Sequence, residues 1–301
     1  MMAPPRVARG ATIGVCAPAG PVDADRLARG LGKLESVFRV RVAPSLGVAR
    51  EPNVPAYLSA SDATRARELM DMIADPDVRA IVLARGGYGL MRILPLLDPA
   101  PLRRDPKPIV GFSDATALLG WAYAAGVRGI HGPMAAQLND LPDSDFTQLV
   151  DMLTLARAPG TRPWTLAAHG HGTHRGHAVP ANLTLASVLA HTPWQLPLAG
   201  AIALFEEVGE KPYEIDRYVM QLRLVGALAD TRAVVIGDLT RCGEAPDSGE
   251  SLATLIERLA LPVAVGAPIG HGNRNEPIPF GAACTLDLDA RTFSIDEAAV
   301  A

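Results

Sequence analysis

The chain has 301 residues, 49% of them hydrophobic, which suffices for the core of one large domain or two modest ones. A net charge of −4, with no block of Lys or Arg anywhere, argues against a nucleic-acid partner. No apolar run approaches the roughly 20 residues that a membrane span needs, which argues against a membrane protein.

The first half of the chain alternates buried strands with helices. A short apolar segment follows Arg6 and Arg9, and we interpret it as a first strand rather than as a secretion signal. The βαβα order with continuous apolar strands predicts an α/β fold whose N-terminal domain is a flavodoxin- or Rossmann-like parallel sheet. The predicted elements are strands at 12–17, 39–44, 80–84 and 108–112, and helices at 23–37, 61–74 (capped by Ser61 or Asp62), 89–97 and 115–125.

A change in composition at residues 156–180, where Gly, Pro, Thr and His replace the helical pattern, predicts a linker. We therefore expect domains at 1–155 and 181–301, the second being a smaller α/β domain. Its predicted elements are helices at 183–191, 215–224 and 251–259, and strands at 199–205, 233–238, 263–266 and 285–289.

Ser113 lies at the junction of a predicted strand and a predicted helix, in the stretch Gly111-Phe112-Ser113-Asp114-Ala115. Two interpretations fit this position. The serine can be a nucleophile on a tight turn, with Gly111 and Ala115 small enough for the backbone to fold back. Alternatively, it only caps the helix by accepting a backbone N–H.

A nucleophilic serine needs a base, a group that orients the base, and donors for the oxyanion. His271 follows a buried strand between two glycines, which keep the imidazole accessible, and Glu206 and Glu207 follow the predicted strand 199–205. Taken singly, such side chains are more often surface ion-pair partners. The amide of Asp114 is one natural oxyanion donor, and an amide of Gly86 or Gly87 is a second.

Four histidines of the predicted linker, His169, His171, His174 and His177, have a spacing that suggests a metal site. The carboxylate and cysteine partners of a closed zinc site are missing, however, and the intervening glycines favour a flexible surface loop. We therefore predict no metal. We also predict no cofactor, because the glycine-rich loop at 85–89 lacks both nucleotide-binding patterns, Gly-x-x-x-x-Gly-Lys and Gly-x-Gly-x-x-Gly.

Several motifs in one order resemble the LD-carboxypeptidase family of serine peptidases, and the resemblance covers almost the whole chain. The motifs are Tyr57-Leu58-x-x-x-Asp62, Ala84-Arg85-Gly86-Gly87-Tyr88-Gly89, Gly111-Phe112-Ser113-Asp114-Ala115-Thr116, His131-Gly132-Pro133-Met134, Leu204-Phe205-Glu206-Glu207-Val208-Gly209-Glu210 and Gly270-His271-Gly272-x-x-Asn275. Two positions depart from the family pattern, Ala115 in place of isoleucine and Ala181 in place of glycine.

The resemblance implies a catalytic triad of Ser113, Glu206 and His271, with oxyanion amides at Asp114 and in the Gly86/Gly87 loop. Between Glu206 and Glu207 we favour Glu206, because it directly ends the apolar strand. The implied substrate is a murein tetrapeptide, a small peptide from which the enzyme releases D-alanine by cutting the L,D bond after meso-diaminopimelate or lysine. The active site is then expected in the cleft between the two domains.

The implied setting is peptidoglycan recycling in the cytoplasm. Three cysteines without metal-ligand spacing fit such a reducing compartment. A homodimer is expected.

Three questions stay open at this stage. The same family includes microcin-immunity peptidases, which cut peptidyl or aminoacyl nucleotides, although only 5% of this chain is aromatic. A non-catalytic α/β ligand-binding protein would also keep the cleft. Arg85 suits a substrate carboxylate by its chemistry, but a structural ion pair fits equally well.

Overall fold

A computed structural model describes residues 1–49, 51–243 and 249–301. Its strands, in chain order, are β1 (Thr12–Cys16), β2 (Arg39–Val42), β3 (Val78–Leu83), β4 (Ile109–Gly111), β5 (Ile130–His131), β6 (Gly160–Thr161), β7 (Ala167–His169), β8 (Thr173–Asn182), β9 (Ala201–Val208), β10 (Ala233–Thr240), β11 (Val263–Val265), β12 (Ile278–Pro279), β13 (Ala283–Asp287) and β14 (Thr292–Ile295). Its helices are α1 (Ala24–Glu35), α2 (Asp62–Ala74), α3 (Leu90–Ile93), α4 (Ala100–Arg104), α5 (Thr116–Ala124), α6 (Asp143–Thr154), α7 (Leu183–Leu189), α8 (Pro212–Leu224) and α9 (Gly249–Leu259).

The first sheet has the strand order β12-β5-β4-β3-β1-β2. Its pairs from β2 to β5 are all parallel, and only the β12 pair is antiparallel. Helices separate the parallel strands, and the residues of β4 are all buried because both faces are covered. The prediction of a parallel-sheet α/β domain is confirmed. Ser61 caps α2 by accepting the amide of Thr64, one of the two caps that we expected.

The second sheet is mixed, with the strand order β6-β14-β13-β8-β9-β10-β11-β7. Its centre, from β8 to β11, is parallel, whereas β13 and β14 on one side and β7 on the other pair antiparallel. Parallel strands end at the same edge of a sheet, and binding sites form beyond that edge. Glu206 lies near the end of β9.

The predicted flexible loop at 156–180 was wrong, because these residues form β6, β7 and most of β8 in the second sheet. Glycine misled the prediction at Gly176, which lies inside β8. A Cβ there would lie 2.5 Å from the Gly200 carbonyl oxygen, so the strand needs glycine for close packing. His177 is also on β8. Its Nε2 donates a hydrogen bond to the Pro197 carbonyl at 2.9 Å, so this nitrogen faces a backbone oxygen.

Among the described residues, none of the helices combines the length and the apolar character that crossing a membrane requires.

Candidate active site

Ser113 lies on a strained turn directly after β4. Its φ of 62° is in the left-handed region, which a non-glycine residue seldom adopts and which occurs at strand-to-helix turns that expose a nucleophile. The turn needs small neighbours, since a Cβ on Gly111 would lie 2.7 Å from the Ala115 Cβ. Helix α5 begins without a side-chain cap, so the alternative in which Ser113 only caps the helix finds no support.

Glu206 and His271 are in direct contact. The distance from His271 Nδ1 to Glu206 Oε2 is 2.6 Å, and Glu206 is completely buried. With the proton on Nδ1 facing the carboxylate, Nε2 is left free to accept another proton. Gly270 permits this approach, because a Cβ there would lie 2.9 Å from the Glu206 Cβ.

The pair has displaced pKa values. Burial raises the pKa of Glu206, and the hydrogen bond and charge of His271 offset part of that rise. For His271, burial favours the neutral form, but the hydrogen bond and charge of Glu206 outweigh it and hold the pKa above its usual value. The carboxylate therefore stabilises a protonated imidazole.

Glu207 faces the opposite side of β9, because successive side chains of a strand alternate between its faces. Its carboxylate accepts hydrogen bonds from Asn182 Nδ2 at 2.8 Å, from the amide and hydroxyl of Thr184 at 2.7 and 2.8 Å, and from the Val208 amide at 2.9 Å. Glu207 thus holds the start of α7, and Glu206 is the glutamate that contacts the histidine.

A cavity of about 480 Å³ brings the two halves of the chain together. Ser113, Gly86 and Gly87 line it from the first half, and His271 lines it from the second. The Phe112 ring lies 4.7 Å from the His271 ring, centroid to centroid. Within the described residues no hydrogen bond joins Ser113 to His271; catalytic contacts of this kind often tighten only when substrate binds.

The glycine-rich loop after β3 packs against the serine. A Cβ on Gly86 would lie 3.1 Å from Ser113 Oγ, and the Gly86 carbonyl accepts the Gly20 amide at 3.1 Å. Because N–H and C=O point in opposite directions across a trans peptide, the Gly87 amide points away from Gly20. The Asp114 amide follows the serine directly in the chain, and Gly86 packs against the serine side chain.

The Asp114 side chain has a function that sequence reasoning missed. It is buried, which raises its pKa to about 6, and its Oδ2 accepts the Leu90 amide at 2.9 Å. Buried Arg65 donates to the Gly89 carbonyl at 2.9 Å. Asp114 thus fastens the end of the glycine-rich loop to the serine turn, and Arg65 fastens it to α2.

The loop that carries His271 is held by α6, a helix that sequence reasoning did not identify. Completely buried Asp145 accepts the Asn275 amide at 2.9 Å, and Asn275 Oδ1 accepts the Gly270 amide at 3.1 Å. The histidine of the second half is therefore positioned by a carboxylate of the first half. Asn275 belongs to the motif around His271, so the sequence did contain a signal that this residue helps to position the histidine.

Arg85 lines the cavity but makes no ion pair with any described residue; its Nη1 donates to the Pro21 carbonyl at 2.9 Å. Over residues 1–49, 51–243 and 249–301, no three His, Cys, Asp or Glu side chains come together as a metal site. Cys16, Cys242 and Cys284 are buried and unpaired.

Comparison with known proteins identifies both halves. Residues 13–132 match the LD-carboxypeptidase N-terminal domain, and residues 175–286 match the LD-carboxypeptidase C-terminal domain. A Streptomyces coelicolor relative is 35% identical over 311 aligned positions, covering 100% of this chain and 98% of its own. The murein tetrapeptide carboxypeptidase of Pseudomonas aeruginosa is 29% identical over 245 residues, which are 77% of this chain and 80% of its own.

A solved structure has the same fold. The microcin C7 self-immunity protein MccF, in complex with aspartyl sulfamoyl adenosine, superposes with a TM-score of 0.90 over 100% of both chains. Its sequence identity is 23%, so this likeness speaks for the fold alone.

Proposed function

Because the chain belongs to the LD-carboxypeptidase family, we propose that it is a serine peptidase that releases the C-terminal D-alanine from murein tetrapeptides. The bond cut is the L,D bond that follows meso-diaminopimelate or lysine. The observation that carries the proposal is the 2.6 Å contact between Glu206 and His271 in the same cavity that Ser113 lines. A non-catalytic binding protein would not need this arrangement.

In this proposal Ser113 attacks the carbonyl carbon of the terminal peptide bond. His271 takes the serine proton at Nε2 and later donates it to the leaving amine of D-alanine. Buried Glu206 holds the imidazole tautomer and stabilises its cation. Water then attacks the acyl-enzyme, with the same histidine as base, and releases the shortened peptide.

The oxyanion of each tetrahedral intermediate is assigned to the amide of Asp114 and to that of Gly86 or Gly87. The support is their position beside the serine and the orientation of the Gly87 amide away from Gly20. Arg85 is assigned to the carboxylate of the terminal D-alanine, since its side chain is held by a neutral carbonyl and keeps its charge uncompensated.

The direct test is an assay of the purified protein with a murein tetrapeptide, in which free D-alanine is measured. We expect release by the wild type and none by Ser113→Ala. A fluorophosphonate probe, which labels activated serines, should label only the wild type. Absence of D-alanine release from a folded wild-type protein would refute the proposal.

A second candidate function is that of a peptidase acting on aminoacyl nucleotides, because the microcin C7 self-immunity protein MccF of Escherichia coli is 25% identical to this chain over 277 residues. Among the described cavity-lining residues, Phe112 is the only Phe, Tyr or Trp, which leaves few rings for stacking on a base. Incubation with aspartyl sulfamoyl adenosine separates the two: release of aspartate without release of D-alanine from the tetrapeptide would establish the second function.

The cellular setting follows the same proposal. Peptidoglycan recycling and a cytoplasmic location are inferred from the proposed substrate, and a homodimer remains an expectation. Fractionation of cells with an antibody against the protein, and light scattering of the purified protein, measure these two properties.

A further inference from the structure

The charged side chains of the active-site cavity are mostly arginines. In the part of the chain that the structure describes, the cavity is lined by Arg26, Arg85, Arg241 and one carboxylate, Asp23. The whole chain carries a net charge of −4, so this cavity is a positive site on a negative protein. Its field favours anionic ligands.

The three arginines differ in how their charges are balanced. Arg26 forms an ion pair with Asp140, so its charge is compensated. Arg85 donates to the neutral carbonyl of Pro21. Arg241 makes no ion pair or side-chain hydrogen bond with any described residue. Among residues 1–49, 51–243 and 249–301, the guanidinium groups of Arg85 and Arg241 therefore have no anionic partner.

These two groups belong to opposite halves of the chain. Arg85 follows β3 of the first sheet, whereas Arg241 directly follows β10 of the second sheet with a φ of 55°. Arg241 lies near the base, since its positive charge opposes the protonation of His271. One cavity thus offers two separate carboxylate-binding groups beside Ser113 and His271.

We propose that Arg241 binds a carboxylate on the side chain of the diamino acid, and that it thereby selects meso-diaminopimelate over lysine. This inference rests on the proposed function. A terminal carboxylate is common to every substrate of a carboxypeptidase and is assigned to Arg85. The second guanidinium can bind a second carboxylate close to the scissile bond, and meso-diaminopimelate has one on its side chain where lysine has none.

The size of the cavity supports this choice of carboxylate. A volume of about 480 Å³ is that of a site for a small molecule, so it admits the residues next to the scissile bond rather than the whole peptide. The two acidic groups nearest that bond are the terminal carboxylate and the side-chain carboxylate of diaminopimelate. These two carboxylates match the two arginines, Arg85 and Arg241, that have no anionic partner among the described residues.

The experiment compares two tetrapeptides that differ only at the third residue, meso-diaminopimelate in one and lysine in the other. We expect the wild type to prefer the diaminopimelate peptide. Arg241→Asn removes the charge and keeps a residue that tolerates a positive φ. It should lower kcat/KM for the diaminopimelate peptide about 10–100-fold. The kcat/KM for the lysine peptide should stay within about twofold of the wild-type value. Arg241→Lys should lose only part of the preference, because an ammonium lacks the planar fork.

Arg26→Gln is the matched control, since it removes one positive charge from the same cavity but from an arginine that already has a partner. It should change kcat/KM only slightly, and by the same factor for both peptides. An Arg241→Asn effect that is equal for both peptides would overturn the inference while D-alanine release upholds the proposed function. If the wild type releases D-alanine from neither peptide, the proposed function and this inference fail together.

A second measurement does not depend on turnover. In a Ser113→Ala background, titration calorimetry with the two peptides should give tighter binding of the diaminopimelate peptide, and Arg241→Asn should abolish the difference. Equal affinities for both peptides before and after the substitution would also overturn the inference.

Discussion

Replacing Glu206 by glutamine should nearly stop turnover without unfolding the protein. The amide keeps the size of the carboxylate but cannot carry its charge, and it favours the wrong imidazole tautomer. An equivalent change in other serine peptidases costs about 10⁴-fold in kcat, or roughly 5 kcal/mol of transition-state stabilisation. Here Glu206 is completely buried, but the His271 side chain is 19% exposed, so water can solvate part of the cation. We therefore expect a loss of about 10³–10⁴-fold.

The assay is D-alanine release under saturating tetrapeptide, with KM measured alongside, since the defect should appear in kcat. Glu207→Gln is the matched control on the next residue. That carboxylate accepts four hydrogen bonds at the start of α7, and an amide nitrogen would face two of the donors. We expect a cost of roughly 2–4 kcal/mol in the free energy of unfolding, with kcat changed only slightly. A loss of less than tenfold in Glu206→Gln, or a larger kcat loss in Glu207→Gln, would refute the assigned roles.

Three further outcomes are expected. The acid limb of the kcat/KM profile should have its midpoint above about pH 6.5, because His271 must be neutral to act as a base and its pKa is raised; a midpoint below that value contradicts the assignment. Gly86→Ala should lower kcat about 10–100-fold with little change in melting temperature, since the new methyl group would crowd Ser113 Oγ; unchanged kcat would show that the loop has room. A strong chelator, or joint replacement of His169, His171 and His174, should leave D-alanine release almost unchanged, whereas zinc-dependent recovery of activity would establish metal catalysis.

The elements that sequence predicted well are those whose signal is local. β1, β4 and the part of β3 after Arg79 are short, mostly apolar runs, and a buried parallel strand has that pattern. The strand β8 was missed because glycine and histidine usually indicate a loop, and only the position of the Gly200 carbonyl explains why glycine is needed at Gly176. Helix α6, in contrast, has an apolar pattern after Pro142 that sequence analysis could have identified.

In the candidate site, too, some features have a local sequence signal and others depend on contacts between distant segments. The residue types and the family motifs were enough to select Ser113, Glu206 and His271 as candidates. The ground for choosing Glu206 over Glu207 was incomplete, because β9 does not end there but continues to Val208. What separates the two glutamates is the face of the strand on which each lies. Contacts between distant segments, such as Asp145 with Asn275, could not be predicted, since neither residue specifies its partner locally.

The small strand β12 has a consequence for how this protein can be divided. The chain leaves the second sheet after β11, passes through His271, and then adds β12 to the edge of the first sheet, beside β5 and two strands from the serine. The segment bearing the base is therefore tethered at both ends, one in each sheet. An excised N-terminal fragment ending at residue 155 would lack an edge strand of its own sheet, and an excised C-terminal fragment would leave that strand unpaired. Neither half therefore has a complete first sheet without the other, so the two halves are not interchangeable modules.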